Sequence, residues 1–467
     1  MRPPSSLWWT TLGEPVVARP ALKGDLDVDV AIVGGGYTGL WTARELVRRD
    51  SSLRIAVLEQ SVCGFGASGR NGGWASALYP LSDSLVRRHY GDESAHHLRR
   101  TLQGAVHTLG SALFEDGVDA HFHRGGTVVA ARSETQAQRL RASVDEARAN
   151  GVSEQDLAWL ERDEALEHLN CTALLGATYT PHCARVHPGR LVRGLAATNE
   201  RLGVSIYENT RVTRVLPATS RRRATALTPC GEVRANYVVR ATEAFTATLH
   251  GERRTVVPLF SLMVATEPLS DAFFSEVGLS NYETFADNRN LIIYGQRTKD
   301  NRLAFGGRGA PYHFGSTIEP RFDANDHVFG LLATTLHELF PQLEGSITHR
   351  WGGPLAMPRD HSPFVQIDHA RGLAAAGGYT GDGVVLSHVA ATALADLLVA
   401  PDVETEYSRL PFVHHDPRRW EFGDSSAFAK GVIIHKPAVH ICYMHTPTRY
   451  LWSVTADYLA NAPIPGF

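Results

Sequence analysis

Cysteine is scarce: five stand in 467 residues, at positions 63, 171, 183, 230 and 442. No pair has CxxC spacing, and the separations fit neither a zinc site nor a disulfide framework. Reduced, mostly buried thiols are expected, as in a cytosolic protein. Long apolar runs are missing too, and none approaches the ~18–20 residues of a membrane helix. Residues 1–9, MRPPSSLWW, lack the apolar core and cleavage site of a signal peptide, so a cytoplasmic protein is expected. In that setting the sequon Asn170-Cys171-Thr172 reads as coincidence. Neither sign of charge dominates: 46 Lys+Arg face 49 Asp+Glu, a formal net charge of −3. Without a basic stripe, nucleic acid is not the expected partner. The one basic cluster, Arg221-Arg222-Arg223, lies between β-like runs and reads as a solvated hairpin turn. No repeat or low-complexity segment occurs.

What the chain does have is the composition of a folded protein, 43% hydrophobic with 9% aromatics and 20% charged residues. At ~100–200 residues per domain, two or three domains are expected. Residues 1–24 show no period and read as an extended arm laid on a surface. Asp27–Val33 (DVDVAIV) is a buried-strand pattern, a helix pattern spans 40–47, and Arg54–Leu58 is a second strand, together a βαβ unit. Helices are expected over 92–118, 134–169, 190–202 and 386–398, the last as an amphipathic helix. β-runs fill 204–239 and 256–305, with hairpin turns at Asn288-Arg289-Asn290 and Lys299-Asp300-Asn301. The α/β text is interrupted by the β-rich blocks, so the two domains interleave in sequence.

Three glycine clusters carry chemistry. Gly34-Gly35-Gly36-Tyr37-Thr38-Gly39 fits GxGxxG between strand and helix. Gly34 permits the tight turn, Gly36 lets backbone approach a pyrophosphate, and Gly39 lets helix and strand pack closely. Glu59, ending the second strand, is placed to accept hydrogen bonds from a ribose. A glycine turn without a ligand is the plainer alternative, and the strand, helix and acid together weigh against it. The second cluster, Gly64 to Trp74 (GFGASGRNGGW), makes sense if its backbone lies against a flat ligand; a flexible linker would not carry Phe65 and Trp74. The third, Gly377-Gly378-Tyr379-Thr380-Gly381-Asp382-Gly383-Val384, again joins strand to helix. Its helix N-terminus offers positive dipole to a developing negative charge, or it is a plain connection.

These blocks resemble the FAD-dependent oxidoreductases of the D-amino-acid oxidase superfamily, in the branch of gamma-glutamylputrescine oxidase, glycine oxidase and sarcosine oxidase. The matching text runs in the family's order: DVAIVGGGYTGLWTARELVRRD, LEQSVCGFGASGRNGGW, VHPGRLVRGLA, VVRATEAFT, RWGGPLAMPRDHSPF and GGYTGDGVVLSHVAATALADL. GYTGLWTA with GFGASGRNGGW is most similar to the gamma-glutamylputrescine oxidase-like group. The resemblance implies a Rossmann-like, glutathione-reductase-type FAD-binding domain interleaved with an antiparallel-sheet substrate domain. It assigns 25–90, 150–255 and 346–410 to the first domain, 91–149 and 256–345 to the second, 1–24 to the arm and 411–467 to an atypical tail.

By resemblance, Gly34, Gly36, Tyr37, Thr38 and Gly39 hold the FAD pyrophosphate, and Glu59 with Gln60 the adenosine ribose. Ala67, Ser68, Arg70, Asn71, Gly72, Gly73 and Trp74 run under the isoalloxazine ring. Val212 lies near the adenine, and Thr242 falls in a second short FAD-contacting motif. Gly378, Thr380, Gly381, Asp382, Gly383 and Val384 face the pyrimidine side of the ring. Tyr294 and Arg308 are the catalytic candidates, and with Trp351 and Leu355 they form the expected substrate pocket. No metal site is expected; His121-Phe122-His123 has no third ligand and reads as solvated or hydrogen-bonded histidines. His187, before Pro188, starts a helix turn.

Two departures from the family shape the functional reading. The loop 68–71 and the segment 352–357 offer no His or Cys nucleophile, so FAD is expected to be non-covalent. Amino-acid-oxidising relatives clamp a carboxylate with arginines, where this chain has Leu355 and Thr380–Asp382; these cannot supply a guanidinium fork. The expected substrate is therefore a small-molecule amine, a polyamine conjugate or a secondary amine. Hydride would pass to flavin N5 and water would hydrolyse the imine, with no obligatory general base. The lysine some relatives use to activate O2 would fall near Ala304, so O2 and another electron acceptor both stay open. Three rival readings remain: a D-amino-acid, glycine or sarcosine-type oxidase or dehydrogenase, an NAD-linked dehydrogenase, and a flavin-binding scaffold without turnover. The tail after Trp420 departs from the family, is too apolar for a free solvated tail, and is expected to pack on the body or at a homo-oligomer interface.

Overall fold

The computed structural model describes residues 6–307, 312–313 and 315–418. Arg308 and the tail from residue 419 onward lie outside the described residues. Helices in chain order are α1 (Leu7–Thr10), α2 (Tyr37–Arg49), α3 (Asp83–Glu115), α4 (Glu134–Ala149), α5 (Arg162–His168), α6 (Pro188–Arg201), α7 (Asp271–Val277), α8 (Asp326–Leu339) and α9 (Gly383–Val399).

Val30–Val33 and Ile55–Leu58 are four-residue strands with every side chain buried, as strands covered on both faces require. They sit inside a six-stranded sheet of order Phe364–Asp368, Leu373–Gly377, Tyr237–Arg240, Val30–Val33, Ile55–Leu58, Ser205–Tyr207. Every pairing in it is parallel except that of Phe364–Asp368 with Leu373–Gly377. One face is covered by α2, α3, α6 and α9 through Leu40, Trp41, Leu46, Leu102, Leu195, Val385 and Leu394. The other face packs Ala31, Val33, Ala56 and Leu58 on Ala224, Ala226, Val233 and Ala235 of a four-stranded sheet. This is a Rossmann-like layer. In the four-stranded sheet's hairpin Arg221 and Arg222 are exposed, whereas Arg223 is half-buried and donates to Val28 O and Asn236 Oδ1.

The second body is an eight-stranded sheet of order Ile347–Met357, Val257–Thr266, Leu303–Gly307, Ile293–Arg297, Thr284–Asp287, Thr127–Ala131, Gly176–Thr180, Ala158–Glu161. It is antiparallel apart from one parallel pairing, Thr284–Asp287 on Thr127–Ala131. Phe260, Phe285 and Phe305 on its face pack against Phe329, Leu332 and Leu336 of α8.

Several expectations need correcting. The start of the N-terminal arm is a wedge rather than an extended surface segment: Leu7, Trp8 and Trp9 of α1 are buried, and Trp8 packs with Met263, Ala265, Ala304 and Trp351. Residues 15–23, by contrast, run without helix or strand, mostly exposed or half-buried, as expected. The apolar side chains of α1 face both the ring-loop glycines and the large sheet, so hydrophobic burial outweighs an exposed path. Farther along, Arg19 is tied to the buried Glu208 at 3.1 Å. The helical expectation over 134–169 is broken by the strand Ala158–Glu161, and α7 interrupts the 256–305 β-block. Residues 92–115 belong to α3, whose Leu98, Leu102, Val106 and Leu109 pack in the first core rather than on the large sheet. α9 is not amphipathic, because it is buried on nearly every side between α2, α3 and the sheet. His187 caps α6, its ring accepting from Arg190 N ahead of Pro188 in the first turn.

Candidate active site

Val33 delivers the chain into the first glycine cluster, and each of its three motif glycines is required by contact. Gly34 has φ +110°, and a Cβ there would lie 2.4 Å from Ala241 O. At Gly36 a Cβ would meet Ser68 Oγ at 2.9 Å, and at Gly39 it would meet Gly34 O at 2.0 Å. The three roles expected from the motif are thus turn, close approach and helix–strand packing. Gly36 is the N-cap of α2, without a side-chain cap and without an acidic residue in the first turn. A helix end of this kind leaves backbone N–H donors and positive dipole for an anion. Ser68 Oγ accepts from Tyr37 N at 2.9 Å and so ties the second cluster to the first.

Above this helix end opens a cavity of about 950 Å3. Glu59 reaches it from the end of Ile55–Leu58, with its carboxylate accepting from Gly35 N at 2.8 Å and Ser61 N at 2.9 Å. Burial pushes its pKa up to about 7, against the pull of those N–H groups. Gln60, Val212 and Thr242 line the same end.

The ring loop crosses the cavity's middle. Ala67–Gly69 form a 3-10 turn, and Asn71 Nδ2 donates to Ala67 O and Ser68 O while its Oδ1 accepts from Gly73 N. Gly72 lies under Tyr294, where a Cβ would come within 2.7 Å of the Tyr294 ring. Trp74 meets Tyr294 edge-on at 6.2 Å, and the Tyr294 hydroxyl is 2.8 Å from Ser261 Oγ. Over the loop sits the third cluster. Thr380 takes φ +53°, and its N–H donates to Ala356 O. Tyr379 OH lies 3.0 Å from Thr38 Oγ1, joining the third cluster to the first. Asp382 is the N-cap of α9, again with no side-chain cap.

Residues 29–397 match the family model for FAD dependent oxidoreductases, DAO. The chain belongs to the DAO family. It is 29% identical over 398 residues to gamma-glutamylputrescine oxidoreductase of Escherichia coli K12, covering 81% of this chain and 85% of the relative. Identity to glycine oxidase of Geobacillus kaustophilus is also 29%, over 82% of this chain and 96% of that enzyme. The crystal structure of glycine oxidase from Geobacillus kaustophilus superposes with a TM-score of 0.69 at 26% identity, over 84% of this chain and 99% of that one. L-proline dehydrogenase from P. horikoshii shares the fold, with a TM-score of 0.67 at 18% identity.

This DAO-family chain is an FAD-dependent oxidoreductase, and its residues fit the cofactor. A Cβ-free cradle, an uncapped helix end, a carboxylate at the strand terminus and a cavity running to the third cluster match a long, anionic, flat-ended dinucleotide. Of the residues expected to hold it, Gly34, Gly36, Tyr37, Thr38, Glu59, Gln60, Ala67, Ser68, Arg70, Asn71, Gly72, Trp74, Val212, Thr242 and Thr380 through Val384 line the cavity. Gly39, Gly73 and Gly378 do not; each acts by admitting a neighbour, as where a Cβ on Gly73 would meet Gln296 Nε2 at 2.0 Å. Tyr294 and Leu355 line the expected pocket, whereas Trp351 does not. Trp351 is buried against Trp8 and donates to Arg70 O at 2.8 Å, so it supports the loop from behind. Arg308 lies outside the described residues.

Sequence reasoning missed several lining groups. Glu243 accepts from Gly378 N at 2.9 Å and is pushed up to about 7 by burial. Its signal was present, an acid directly after Thr242 at a strand's end. His182, paired with Asp156 at 2.8 Å, and Glu146 line a side arm of the cavity bounded by α3 and α4. They come from separate elements, and no local pattern joins them. Among the described residues, no group of three His, Cys, Asp or Glu side chains is placed to hold a metal ion, and no helix is long and apolar enough to cross a membrane.

Proposed function

We propose that this enzyme oxidises the C–N bond of an amine lacking an α-carboxylate, a polyamine conjugate or secondary amine, using non-covalently held FAD. The observation that carries the reading is the wall of the cavity at Leu355 and Thr380–Asp382, which presents no cationic side chain where a carboxylate clamp needs guanidinium. The arginine nearest the ring loop does not fill that need. Arg70 Nη1 is 2.5 Å from Asp323 and its Nε donates to Phe65 O, so its fork is committed to the fold. In the cavity's side arm Asp83 is paired with Arg87 and Arg99 and Asp156 with His182, which leaves Glu146 as the acid that suits a cationic tail.

FAD would be held by Gly34, Gly36 and the α2 N-terminus at its pyrophosphate, by Glu59 and Gln60 at its ribose, and by Ala67–Trp74 along its ring. When bound it supplies a two-electron acceptor for hydride from the carbon bearing nitrogen. The chain's part is placement. The α9 N-terminus directs positive dipole at the third cluster, where negative charge is best stabilised. Tyr294, fixed between Gly72 and Gly306 and bonded to Ser261, forms a rigid wall that orients the substrate. No general base is assigned, because a neutral amine needs none.

The division into two interleaved domains is kept without the sequence-derived bounds, since residues 92–115 pack in the first core and Ala158–Glu161, Gly176–Thr180 and Ile347–Met357 belong to the eight-stranded sheet. The tail past residue 418 lies outside the described residues. Ala304, where an O2-activating lysine would fall, is buried beside Trp8 and Trp351. That favours neither O2 nor another acceptor. The test is turnover on matched pairs, each amine with and without an α-carboxylate, with O2 or an added electron acceptor present, scored by the carbonyl product released: an aldehyde or ketone from the carboxylate-free member, a 2-oxo acid from the other. Turnover of the carboxylate-free member at ten-fold or more higher kcat/KM supports the reading. The opposite preference would move the enzyme to the glycine oxidase type, to which it is equally similar in identity.

A further inference from the structure

A second, smaller cavity of about 110 Å3 adjoins the ring loop, lined by Trp8, His121, Arg185, His187, Lys299 and Asp300 among others. Arg185 is its unusual member. It ends the strand Cys183–Arg185, opposite Trp74, and is only 5% exposed. Its guanidinium rests on the Tyr282 ring at 4.2 Å, and its Nε is buried without a hydrogen-bond partner. Among the described residues it has no carboxylate partner. Asp300 faces the same cavity, but its oxygens engage Thr298 Oγ1 at 2.6 Å and Arg302 Nε at 2.8 Å. Asp119 lies 3.9 Å from Lys299 Nζ and from Arg190 Nη1.

The neighbouring histidines do not compensate or add charge. His187 Nδ1 accepts from Arg190 N at 3.1 Å, so the proton sits on Nε2, which donates to Thr11 Oγ1 at 3.0 Å. Burial pushes His187 down to about 3 and His121 down to about 4, leaving both neutral. A buried cation without an acceptor is costly, and native folds rarely leave one. The empty space beside it amounts to a few waters at ~30 Å3 each, the size of a small polyatomic anion.

We propose that this cavity is a binding site for a small oxyanion, a free carboxylate or inorganic phosphate, held by the Arg185 guanidinium with Lys299 at its rim. A planar fork suits two oxygens of one group. The site connects to the cofactor loop: Gln296, also in its lining, donates to Gly72 O at 2.6 Å, and Trp8 Nε1 donates to Asn71 O at 2.8 Å. An anion there braces the loop from behind.

The experiment follows the thermal midpoint of the FAD-loaded protein by flavin fluorescence. Acetate or inorganic phosphate replaces chloride at fixed pH and ionic strength. The wild type is expected to show a saturable rise of about 2–4 °C with at least one of the two. A rise with acetate alone identifies a carboxylate site, and one with phosphate alone a phosphate site. R185M is expected to lose the rise, with a midpoint in chloride no lower than the wild type's, since an uncompensated buried charge is gone. K299A changes an exposed side chain, and should raise the half-saturating concentration about three-fold even if R185M fails to fold. No rise in the wild type, or an unchanged half-saturation in K299A, overturns the proposal, as does an undiminished rise in a folded R185M.

Discussion

At the scale of single residues, the cofactor cradle depends on atoms that are not there. A Cβ at position 39 would sit 2.0 Å from Gly34 O, a backbone atom that cannot swing away. Gly39→Ala is expected to push α2 off its strand, cost about 1–3 kcal/mol, and yield protein with well under half the FAD per chain. The 450 nm to 280 nm absorbance ratio checks this, and an unchanged ratio would show that the contact relaxes cheaply. Glu59 makes a second prediction, through pH. Burial raises it to about 7 from 4.5. Below the lower value both folded and unfolded states hold the proton, and between the two only the folded state does. The group's stabilising share is therefore lost as pH rises through about 7. Denaturant unfolding of cofactor-free protein should show the wild type losing stability relative to Glu59→Gln between pH 4.5 and 7, with a constant difference above. A flat difference across that range would contradict the assignment. These residues were legible because GxGxxG and a strand-ending acid are local patterns. Glu243 under Gly378 and Tyr379 on Thr38 were not, since each pairing spans more than a hundred residues of chain.

At the scale of elements, the N-terminal wedge is the least expected feature and the easiest to test. Four residues are too few to show a helical period, so α1 leaves no trace in the sequence beyond its adjacent tryptophans. Trp8 is 1% exposed, meets Trp351 at 6.0 Å and His187 at 5.2 Å, and bonds to Asn71 O. Trp8→Ala is expected to cost about 3–5 kcal/mol in urea unfolding and to weaken FAD retention, because Trp8 and Trp351 both hold the ring loop from behind. A loss under 1 kcal/mol with full FAD content would mean that the wedge is dispensable. The strand Ala158–Glu161 escaped notice for a different reason: its residues are partly exposed, and α4 and α5 flank it with stronger helical signals. The apolar run of α9 predicts a helix with one buried face, whereas almost every face of α9 is buried.

At the scale of the whole molecule, alternation of α/β and β-rich text pointed to two interleaved bodies, while the number of sheets and the strand order inside each came only with the structure. Tyr237–Arg240 pairs with Val30–Val33, and Thr127–Ala131 inserts between Thr284–Asp287 and Gly176–Thr180. Neither is inferable from periodicity, since chain-distant strands share one pattern. Burying the cradle between these sheets joins the glycine clusters at 34–39, 64–74 and 377–384 into one cavity whose lining extends to α3 and α4. The cavity is expected to hold FAD that an amine without an α-carboxylate reduces. The most direct test is the absorption spectrum of purified protein, titrated anaerobically with carboxylate-free amines and then with α-amino acids. Bands near ~375 and ~450 nm are expected to bleach with a polyamine derivative and to persist with α-amino acids. Bleaching by α-amino acids alone would contradict the reading of Leu355 and Thr380, and a yellow protein that nothing bleaches would point to a flavin-binding scaffold without turnover.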